Sequence, residues 1–569
     1  MLTLKNLKMT RCARAVAGIS TLVLFGASAA QAQSVPDAGS LLQQIEQGNR
    51  PRLPAQSAPQ FVPPPPMQSL GGDTVEIKRF KFAGNTLVSD RELEQVVASF
   101  LNRPIDFATL QNVAIQVAAA YRQAGWVVRA YLPQQEIDGG MVTIQIVEAV
   151  LGAVRLEGTI TRVSEAQVKQ LVETAQPVGS PLHGDSLDRA LLLIDDLPGV
   201  NATGRLSEGK NQAETDLVLS TSDSPLVGGD FWLDNTGARS TGEERLTANV
   251  LLNSPARIGD LASASLIHSR GSDYLRAAYT VPLGSRGLRL GINASHLSYK
   301  VLTAGLTQAD GTSTSTGLEV TYPLLRARSK NVYLAFALDH KAFDNFNAGA
   351  VTTRYTSRAA SVSLNGNMFD DVGGGGATNA GLTLVQGHLN LAGSPNALAD
   401  SVTTQSAGSF RKIRYAVARQ QVLTKDLTLY AGLSGQLADK NLDSSEKFYL
   451  GGIAGVRAYP ASEGGGSEGR LLNLELRARL PANFSVTGFY DYGSVVVNKN
   501  NNFVGAAAIN RYDLQGVGVS LGWTSSFGLN VKATLARRIG SNPNPTATGR
   551  DQDGSLTKNR LWLQVNLPL

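Results

Sequence analysis

The amino-acid sequence predicts a mostly β protein: a transmembrane β-barrel of about 16 strands, preceded by two small α+β domains and one short helix. Three observations support this prediction. The chain begins with an export signal, continues with two similar segments about 74 residues apart, and ends in a long region of alternating, strand-like segments. A chain of 569 residues also exceeds one ordinary core, which agrees with several structural units.

The N-terminus has the three parts of a secretory signal peptide. A basic segment precedes an apolar stretch from Ala15 to Ala30, and Ala30-Gln31-Ala32 has the small residues that signal peptidase reads. We expect residues 1–32 to be removed. The single cysteine, Cys12, lies in this signal, so the mature chain would form no disulfide and offer no thiolate ligand or nucleophile.

Charge and hydropathy narrow the classes of protein that fit this sequence. Four of the 52 lysines and arginines lie in the predicted signal, and the others nearly balance the 46 acids, which does not favour nucleic acid as a partner. After the signal there is no run of 18 apolar residues, so the sequence predicts no transmembrane helix. An exported chain of this kind spans a membrane only as a closed barrel, in which all backbone polar groups are paired.

Residues 33–48 predict one short helix, which Asp37 can cap. Its apolar residues at helical spacing are Leu41, Leu42 and Ile45. Residues 49–72 are rich in proline and predict an extended, semi-rigid linker with a rise of about 3 Å per residue. The helix could therefore lie far from the next domain.

Residues 73–149 and 150–225 have the pattern of a duplicated domain. Phe80 begins "FKFAGNTLVSDRELEQVV" and Val154 begins "VRLEGTITRVSEAQVKQLV", and in each copy a strand-like segment ends in glycine before an amphipathic helix. Both copies predict the order strand, helix, helix, strand, strand. Generic α+β folding would account for one copy but not for the matching glycines, which are Gly84 with Gly158 and Gly125 with Gly199.

From residue 226 to residue 569 the helical patterns end, and alternating segments recur between glycine, serine, asparagine and aspartate. Their polar face is small and hydroxylic, which is typical of a barrel lumen rather than of the charged surface of a soluble sandwich. The predicted strands start near Asp230, Arg245, Asp260, Asp273, Leu288, Ser313, Asn331, Thr356, Gly376, Phe410, Leu427, Leu471, Phe484, Tyr512, Leu529 and Arg560.

The connection between the eleventh and twelfth predicted strands is unusually long. We place it at residues 445–470, and it contains the sequence Val456-Arg457-Ala458-Tyr459. Alternation in the thirteenth strand directs Asp491 into the lumen. A connection of this length could fold back into the lumen, where a guanidinium can bind a carboxylate through two parallel hydrogen bonds.

Two repeats, a predicted barrel, "GVRAYP" in the long loop and "GFYDYG" two strands later resemble the Omp85 superfamily. Within it, the sequence is most similar to the outer-membrane transporters of two-partner secretion (TpsB type, ShlB/FhaC/HecB-like). In that family the repeats are POTRA domains, and the loop, called L6, has the motif Val-Arg-Gly-Tyr/Phe. Ala458 stands at the glycine position of this motif.

The resemblance covers essentially the whole mature chain and implies roles for individual residues. Arg457 of L6 would pair with Asp491, and neighbouring residues of the same strand would form the barrel wall beside L6. These wall residues are Gly488, Phe489 and Gly493. The segment "DAGSLLQQIEQ" resembles the family's plug helix, with Leu41, Leu42 and Ile45 as its apolar residues.

The resemblance further implies a function. The barrel would be an export pore in the outer membrane of a Gram-negative cell, with the POTRA domains in the periplasm. Its partner would be an unfolded secreted exoprotein (TpsA type) of the adhesin or haemolysin kind, exported without ATP. The other expected partners are outer-membrane lipid, lipopolysaccharide and the barrel assembly machinery. We expect a monomer with no nucleic acid, cofactor, metal or enzymatic activity.

Three other classes of protein fit this sequence less well. A barrel insertase of the same superfamily usually has more than two POTRA domains and no plug helix, and a diffusion porin has no need of a duplicated domain. A surface enzyme is disfavoured because the histidines show no ligand spacing, and because Asp339 and His340, adjacent in a strand, point to opposite faces. The histidines are His183, His268, His296, His340 and His388.

Overall fold

The computed structural model describes residues 36–48, 74–211, 213–302 and 308–569. The predicted signal peptide, 1–32, and the predicted linker, 49–72, lie outside these residues. The described chain forms two small α+β domains followed by one large closed barrel. None of its described helices is long and apolar enough to cross a bilayer.

The secondary structure elements are numbered along the described chain. The helices are α1 Ala38–Gly48, α2 Asp90–Val97, α3 Phe107–Gln123, α4 Glu165–Ala175, α5 Gly184–Asp195 and α6 Ala397–Val402. The strands of the α+β domains are β1 Val75–Glu76, β2 Arg79–Ala83, β3 Pro104–Ile105, β4 Val128–Tyr131, β5 Met141–Glu148, β6 Val150–Glu157, β7 Val200–Glu208 and β8 Glu214–Asp223. The barrel strands are β9 Val227–Asp234, β10 Arg245–Asn253, β11 Leu261–Ser269, β12 Ser272–Leu283, β13 Leu288–Lys300, β14 Ala309–Arg326, β15 Lys330–Asn347, β16 Ala350–Asp370, β17 Gly376–Asn390, β18 Gly408–Val422, β19 Leu427–Ala438, β20 Glu468–Arg479, β21 Phe484–Val496, β22 Arg511–Thr524, β23 Asn530–Arg538 and β24 Asn559–Pro568.

Each α+β domain packs two helices against a three-stranded sheet. The strand orders are β2-β5-β4 and β6-β8-β7, so the last strand of each copy lies in the middle. This central strand is parallel to the first strand and antiparallel to the other. Apolar side chains fill each domain, including Tyr121 and Ile144 in the first and Ile194 and Leu219 in the second. The element order agrees with the one that the repeat predicts.

Gly84 and Gly158 occupy equivalent turns in the two domains. Their φ angles are +87° and +98°, in the left-handed region that favours glycine. A Cβ atom on Gly84 would lie 2.3 Å from the carbonyl oxygen of Ile146, and one on Gly158 would lie 2.2 Å from that of Thr221. The two copies therefore share a close backbone approach that only glycine allows.

The barrel strands β9 to β24 are each antiparallel to their neighbours, and β24 pairs with β9 to close the sheet. This confirms the predicted 16-stranded barrel. The largest difference in strand position is at β16, which begins at Ala350 and not near Thr356. Its first residues have polar side chains such as Thr352 and Arg354 on one face, so the apolar alternation is hidden there.

The second α+β domain docks on turns at one end of the barrel. Arg326, at the end of β14, donates to Asp196 through Nε and Nη2, both at 2.9 Å. Arg328, in the following turn, pairs with Asp188 at 2.7 Å. Because consecutive strands reverse direction, the long connections lie at the opposite end of the barrel. They comprise residues 391–407, 439–467, 497–510 and 539–558.

Candidate functional site in the barrel lumen

The connection between β19 and β20, the L6 loop, comprises residues 439–467 and folds back into the lumen. Residues 468–470, which the sequence analysis placed in this loop, begin β20, because the ladder with β21 extends to Glu468. Apolar side chains of L6 and of the wall form one buried cluster. It includes Leu450, Val456, Ala458 and Tyr459 of L6 with Leu471, Phe489 and Leu514 of the wall. L6 is therefore packed inside the barrel.

Arg457 of L6 binds Asp491 of β21 through three hydrogen bonds. Its Nε donates to Oδ2 at 2.8 Å, its Nη2 to Oδ1 at 2.7 Å and its main-chain N–H to Oδ2 at 3.0 Å. Asp491 is fully buried, and Arg457 is 4% exposed. Asn473 of β20 also donates to Oδ1 at 2.7 Å. This forked geometry gives the contact direction as well as strength.

Further groups of the wall complete the surroundings of the Arg457 guanidinium. Nη1 donates to Oε1 of Glu475 at 2.8 Å, and the guanidinium carbon lies 3.5 Å from the ring centre of Phe489. Glu475 also accepts from Nε of Arg477 at 2.7 Å. Two carboxylates thus face two guanidinium groups, and an aromatic ring covers the remaining face of Arg457. Alternation along β20 directs Glu475 into the lumen, but nothing in the sequence assigns it to Arg457.

Trp562 of β24 is a second partner that the sequence analysis did not identify. Its indole N–H donates to the main-chain oxygen of Arg457 at 2.8 Å. The sequence feature that could have pointed to Trp562 is its position on the inward face of the last strand. On the other side, Gly516 of β22 faces Ala458, and a Cβ atom there would lie 2.7 Å from the Ala458 Cβ. The backbone of Ala458 lies outside the left-handed region, so this position does not require glycine.

The last residue of the L6 motif, Tyr459, is held from the extracellular side. The guanidinium carbon of Arg538 lies 4.4 Å from the centre of its ring. Arg538 also pairs at 2.5 Å with the buried Asp551 in the connection between β23 and β24. In the same connection, Asn542 donates to Glu463 of L6 at 2.8 Å. L6 is therefore attached both to the wall and to a neighbouring loop.

The predicted wall residues divide into two groups. Phe489 and Gly493 face L6, and a Cβ atom on Gly493 would lie 2.8 Å from Leu450 and 3.0 Å from Val456. Gly488 is on the lipid-facing side of β21, and a Cβ atom there would meet no atom within 4 Å. The assignment of Gly488 to the L6 contact was wrong, because adjacent residues of a strand point to opposite faces.

Helix α1 lies in the lumen beside L6. Asp37 caps it, since its Oδ1 accepts from the main-chain N–H of Ser40 at 2.7 Å. Leu42 and Leu41 are 1% and 7% exposed, and Ile45 packs at the margin of the same cluster. Aromatic side chains of the wall complete this cluster: Tyr274, Tyr299, Phe343 and Tyr355.

Polar contacts hold α1 at both ends. The main-chain N–H of Ala38 donates to Oδ1 of Asn345 at 2.8 Å. One helix length away, Nζ of Lys341 donates to both carboxylate oxygens of Glu46, at 2.7 and 2.8 Å. Asn345 is nearer than Lys341 to Asn347, the end of β15 that is remote from the α+β domains. The N-terminus of α1 therefore points away from these domains.

The first part of L6 joins α1 to the wall. Ser444 donates to Oδ1 of Asp37 at 2.9 Å. Two residues later, Glu446 forms a buried ion pair of 2.6 Å with Lys412 of β18. A polar cavity of about 280 Å³ remains between α1, L6 and the wall, and it is lined by Glu46, Asp339, Lys341, Lys412, Arg414 and Glu446. Helix and loop thus lie together in the lumen.

The described residues contain no cluster of three or more histidine, cysteine, aspartate or glutamate side chains that could hold a metal ion. Asp339 lines the lumenal cavity, whereas the neighbouring His340 is exposed on the outer face of β15. Several charged groups of the lumenal wall, among them Lys341, Lys412 and Asp491, bind α1 or L6.

A closed barrel whose lumen holds a helix and an inserted loop, with two α+β domains docked at one end, is the architecture expected of an outer-membrane transporter of the Omp85 superfamily, and the matching family models agree with it. The chain belongs to the family of haemolysin secretion/activation proteins ShlB/FhaC/HecB, whose model matches residues 213–525. A POTRA domain of ShlB type matches residues 75–149. The protein is thus a transporter of the two-partner secretion type, a translocation pore in the outer membrane with periplasmic POTRA domains. Members of this family are transporters and not enzymes.

Individual relatives agree with this assignment. The heme/hemopexin transporter protein HuxB of Haemophilus influenzae (strain 86-028NP) is 28% identical over 530 residues, 89% of this chain and 92% of HuxB. The outer membrane transporter CdiB of Dickeya dadantii (strain 3937) is 24% identical over 480 residues, 80% of this chain and 83% of CdiB. The structure of CdiB from Escherichia coli has a TM-score of 0.71 at 18% identity and covers 95% of this chain and 100% of that chain. The insertase alternative is not favoured.

Proposed function

We propose that this pore exports one large partner exoprotein, of the adhesin or haemolysin kind, which passes through the barrel as an unfolded chain. The POTRA domains receive it in the periplasm, and α1 and L6 open the lumen for it. The observation that carries this proposal is the position of α1, which lies inside the pore but contributes no strand to its wall.

The contacts of α1 and L6 support a gating role. Both are held by side-chain contacts, chiefly the pairs of Lys341 with Glu46 and of Arg457 with Asp491. Neither element belongs to the hydrogen-bonded ladder of the barrel. Their withdrawal would therefore open the lumen without breaking the sheet. At 16 strands, a barrel without these insertions encloses a lumen rather than a packed core.

The POTRA domains offer a means of binding an extended chain. Among the described residues, each outer strand of the two sheets pairs with one strand of its sheet: β2 and β4 in the first domain, β6 and β7 in the second. Only the start of β6 is covered on its other edge, where Val150 bridges Pro181. An unpaired strand edge can accept an extended segment through main-chain hydrogen bonds, which depend little on sequence. We propose that the exoprotein binds by such β-augmentation before it enters the barrel.

The remaining features of the proposal concern energy and environment. Export uses no ATP, and the folding of the exoprotein outside the cell draws it through the pore. The protein works as a monomer without cofactor or enzymatic activity. The barrel assembly machinery inserts it, and its outer surface contacts lipid and lipopolysaccharide. The resemblance to two-partner secretion transporters supports these features.

Single-channel conductance in planar bilayers tests the gate. The mature chain is compared with a variant that lacks residues 36–48 and with a Gln44→Ala variant, which leaves the helix in place. We expect the deletion variant alone to show a markedly higher and longer-lived open conductance. Equal traces for all three proteins would mean that α1 does not close the lumen, and the export proposal would lose its main support.

A further inference from the structure

The outer face of β14 to β18 has a boundary at which exposed apolar residues give way to polar ones. On the side of this boundary that is nearer the POTRA domains, four exposed apolar residues face one another across the ladder: Phe336, Val362, Leu384 and Ile413. Such a row belongs to the lipid-facing band of an outer-membrane barrel, which is about 25 Å tall. Because POTRA domains lie at the other end, this boundary is the one toward the outer leaflet.

Four residues beyond the apolar row, the same strands carry a continuous polar row. In the ladder, Thr316 faces His340, His340 faces Arg358, Arg358 faces His388, and His388 faces Ser409. Side chains at directly opposed positions have Cβ atoms about 5 Å apart. The outward direction follows from the strand neighbours, since Ser357, Leu389 and Phe410 are buried in the lumen.

A second cation extends this row. Arg411 of β18 faces Gln386 of β17, diagonally next to His388. Arg358 and Arg411 are exposed, and neither forms an ion pair with any described residue. We call the surface formed by His340, Arg358, His388 and Arg411 the outer basic patch. Imidazole carries an N–H donor in each protonation state, so all four side chains can donate hydrogen bonds.

The carboxylates nearest to the outer basic patch do not neutralise it. Asp344 lies four residues beyond His340 on the same face and already pairs with Arg354. Asp439 borders Arg411, and its Oδ1 accepts from the main-chain N–H of Arg411 at 2.9 Å and not from the guanidinium. Two unpaired guanidinium groups thus remain where the apolar band meets the headgroups of the outer leaflet.

We propose that the outer basic patch binds the phosphorylated headgroup of lipid A, the membrane anchor of lipopolysaccharide. The apolar row contacts the acyl chains, and the guanidinium groups bind the phosphates. Arginine suits this role because its planar fork binds phosphate oxygens in pairs. The inference rests on the membrane partner proposed above and names its site. Its test does not involve export, so the two proposals can fail separately.

Native mass spectrometry of the full mature chain in detergent tests the patch, with bisphosphorylated lipid A as the added probe. We expect the Arg358→Gln/Arg411→Gln variant to bind lipid A about tenfold more weakly than the unaltered chain. The matched control is Arg257→Gln/Lys425→Gln, which removes two exposed cations from turns at the POTRA end. This control should bind lipid A like the unaltered chain. Heat-dependent mobility on gels verifies that both barrels are closed.

Two further comparisons make the result specific. The Arg358→Lys/Arg411→Lys variant keeps the charges and should retain much of the binding. The unaltered chain should bind dephosphorylated lipid A and phosphatidylglycerol about tenfold more weakly than bisphosphorylated lipid A. Equal binding by the glutamine variant and its control would overturn the proposal. So would equal binding of the three lipids, since it would indicate only nonspecific contact with the apolar band.

Discussion

The indole of Trp562, in the last strand of the barrel, donates a hydrogen bond of 2.8 Å to the main-chain oxygen of Arg457 in L6. The side chain of the same arginine binds Glu475 of β20 and Asp491 of β21. One loop residue therefore contacts three wall strands, one of which closes the barrel against β9. L6 is therefore fixed to three strands of the wall through a single residue.

Replacement of Asp491 by asparagine should release L6. The change leaves the Arg457 guanidinium in a buried site with one of its two carboxylates, and the loss of one partner of a buried pair costs about 3–5 kcal/mol. The measurement is the rate of thiol labelling at an engineered Val456→Cys, a position of L6 that is fully buried against the wall. We expect labelling to be at least tenfold faster than with Asp491 intact.

Asp513→Asn is the matched control for this variant. Asp513 lies on the neighbouring strand β22 but is exposed on its outer face. Its labelling rate should equal that of the unaltered loop. If Asp491→Asn also left the rate unchanged, the buried pair would not be what holds L6.

Trp562→Phe should loosen L6 to a smaller extent. Phenylalanine keeps an aromatic ring at this buried position but leaves the main-chain oxygen of Arg457 without its donor, at a cost of about 1–3 kcal/mol. The same labelling assay should therefore show an increase that lies between the Asp513 control and Asp491→Asn. An increase as large as that of Asp491→Asn would indicate a general loss of barrel packing, which heat-dependent gel mobility would reveal independently.

Exchange of the charges of Lys341 and Glu46 tests the attachment of α1. Each single change, Lys341→Glu or Glu46→Lys, places two like charges at positions whose opposite charges now lie 2.7 Å apart. Their repulsion should increase the open fraction in single-channel records. The double variant restores opposite charges and should return the channel to its closed state. Additive opening in the double variant would contradict a direct contact between the two groups.

The first POTRA domain should lose stability in acid through Glu148. Burial raises the pKa of this carboxyl, but hydrogen bonds from Thr86 and from the main chain of Leu87 outweigh burial and hold the pKa below its usual value. A carboxyl whose pKa is lower in the folded than in the unfolded state contributes its full stabilisation of the fold when the pH is above its unfolded-state pKa. This contribution is lost as the pH falls through the folded-state pKa. Protection of the segment 84–90 in the full chain, measured as the exchange rate relative to the intrinsic rate at each pH, should therefore fall below about pH 4.3.

Glu148→Gln is the test of this assignment. The glutamine variant should exchange faster than the unaltered chain at neutral pH and should lose the acid-dependent step in the segment 84–90. The second POTRA domain serves as an internal reference, because Asp223 accepts equivalent hydrogen bonds from Thr161. The segment around Thr161 should keep its own acid-dependent step. If the Glu148→Gln variant kept the acid-dependent step in the segment 84–90 as well as in the segment around Thr161, the step in 84–90 would belong to a group other than Glu148.

Much of the architecture follows from local patterns. Alternation over eight or more residues marks a strand wherever one face contacts lipid, and it also assigns Asp491 and Glu475 to the lumen, since the period of a strand is two. The assignment of Gly488 was wrong because it did not take into account that adjacent residues of a strand point to opposite faces. The start of β16 was missed because its outer face carries polar side chains such as Arg354 there, so the segment shows no apolar residues facing lipid.

The sequence by itself determined the order of the domains, the number of barrel strands, the family and the pair of residues most suited to hold L6. Helical and strand periods, glycine positions and charge chemistry are local, so they can be read along the chain. Only the tertiary structure decided that Trp562 and Gly516 complete the site around Arg457 and Ala458, and that the cations of β16 and β18 lie on either side of β17 on one outer surface. These residues are distant in the chain, and the register of the strands and the docking of L6 set which of them meet.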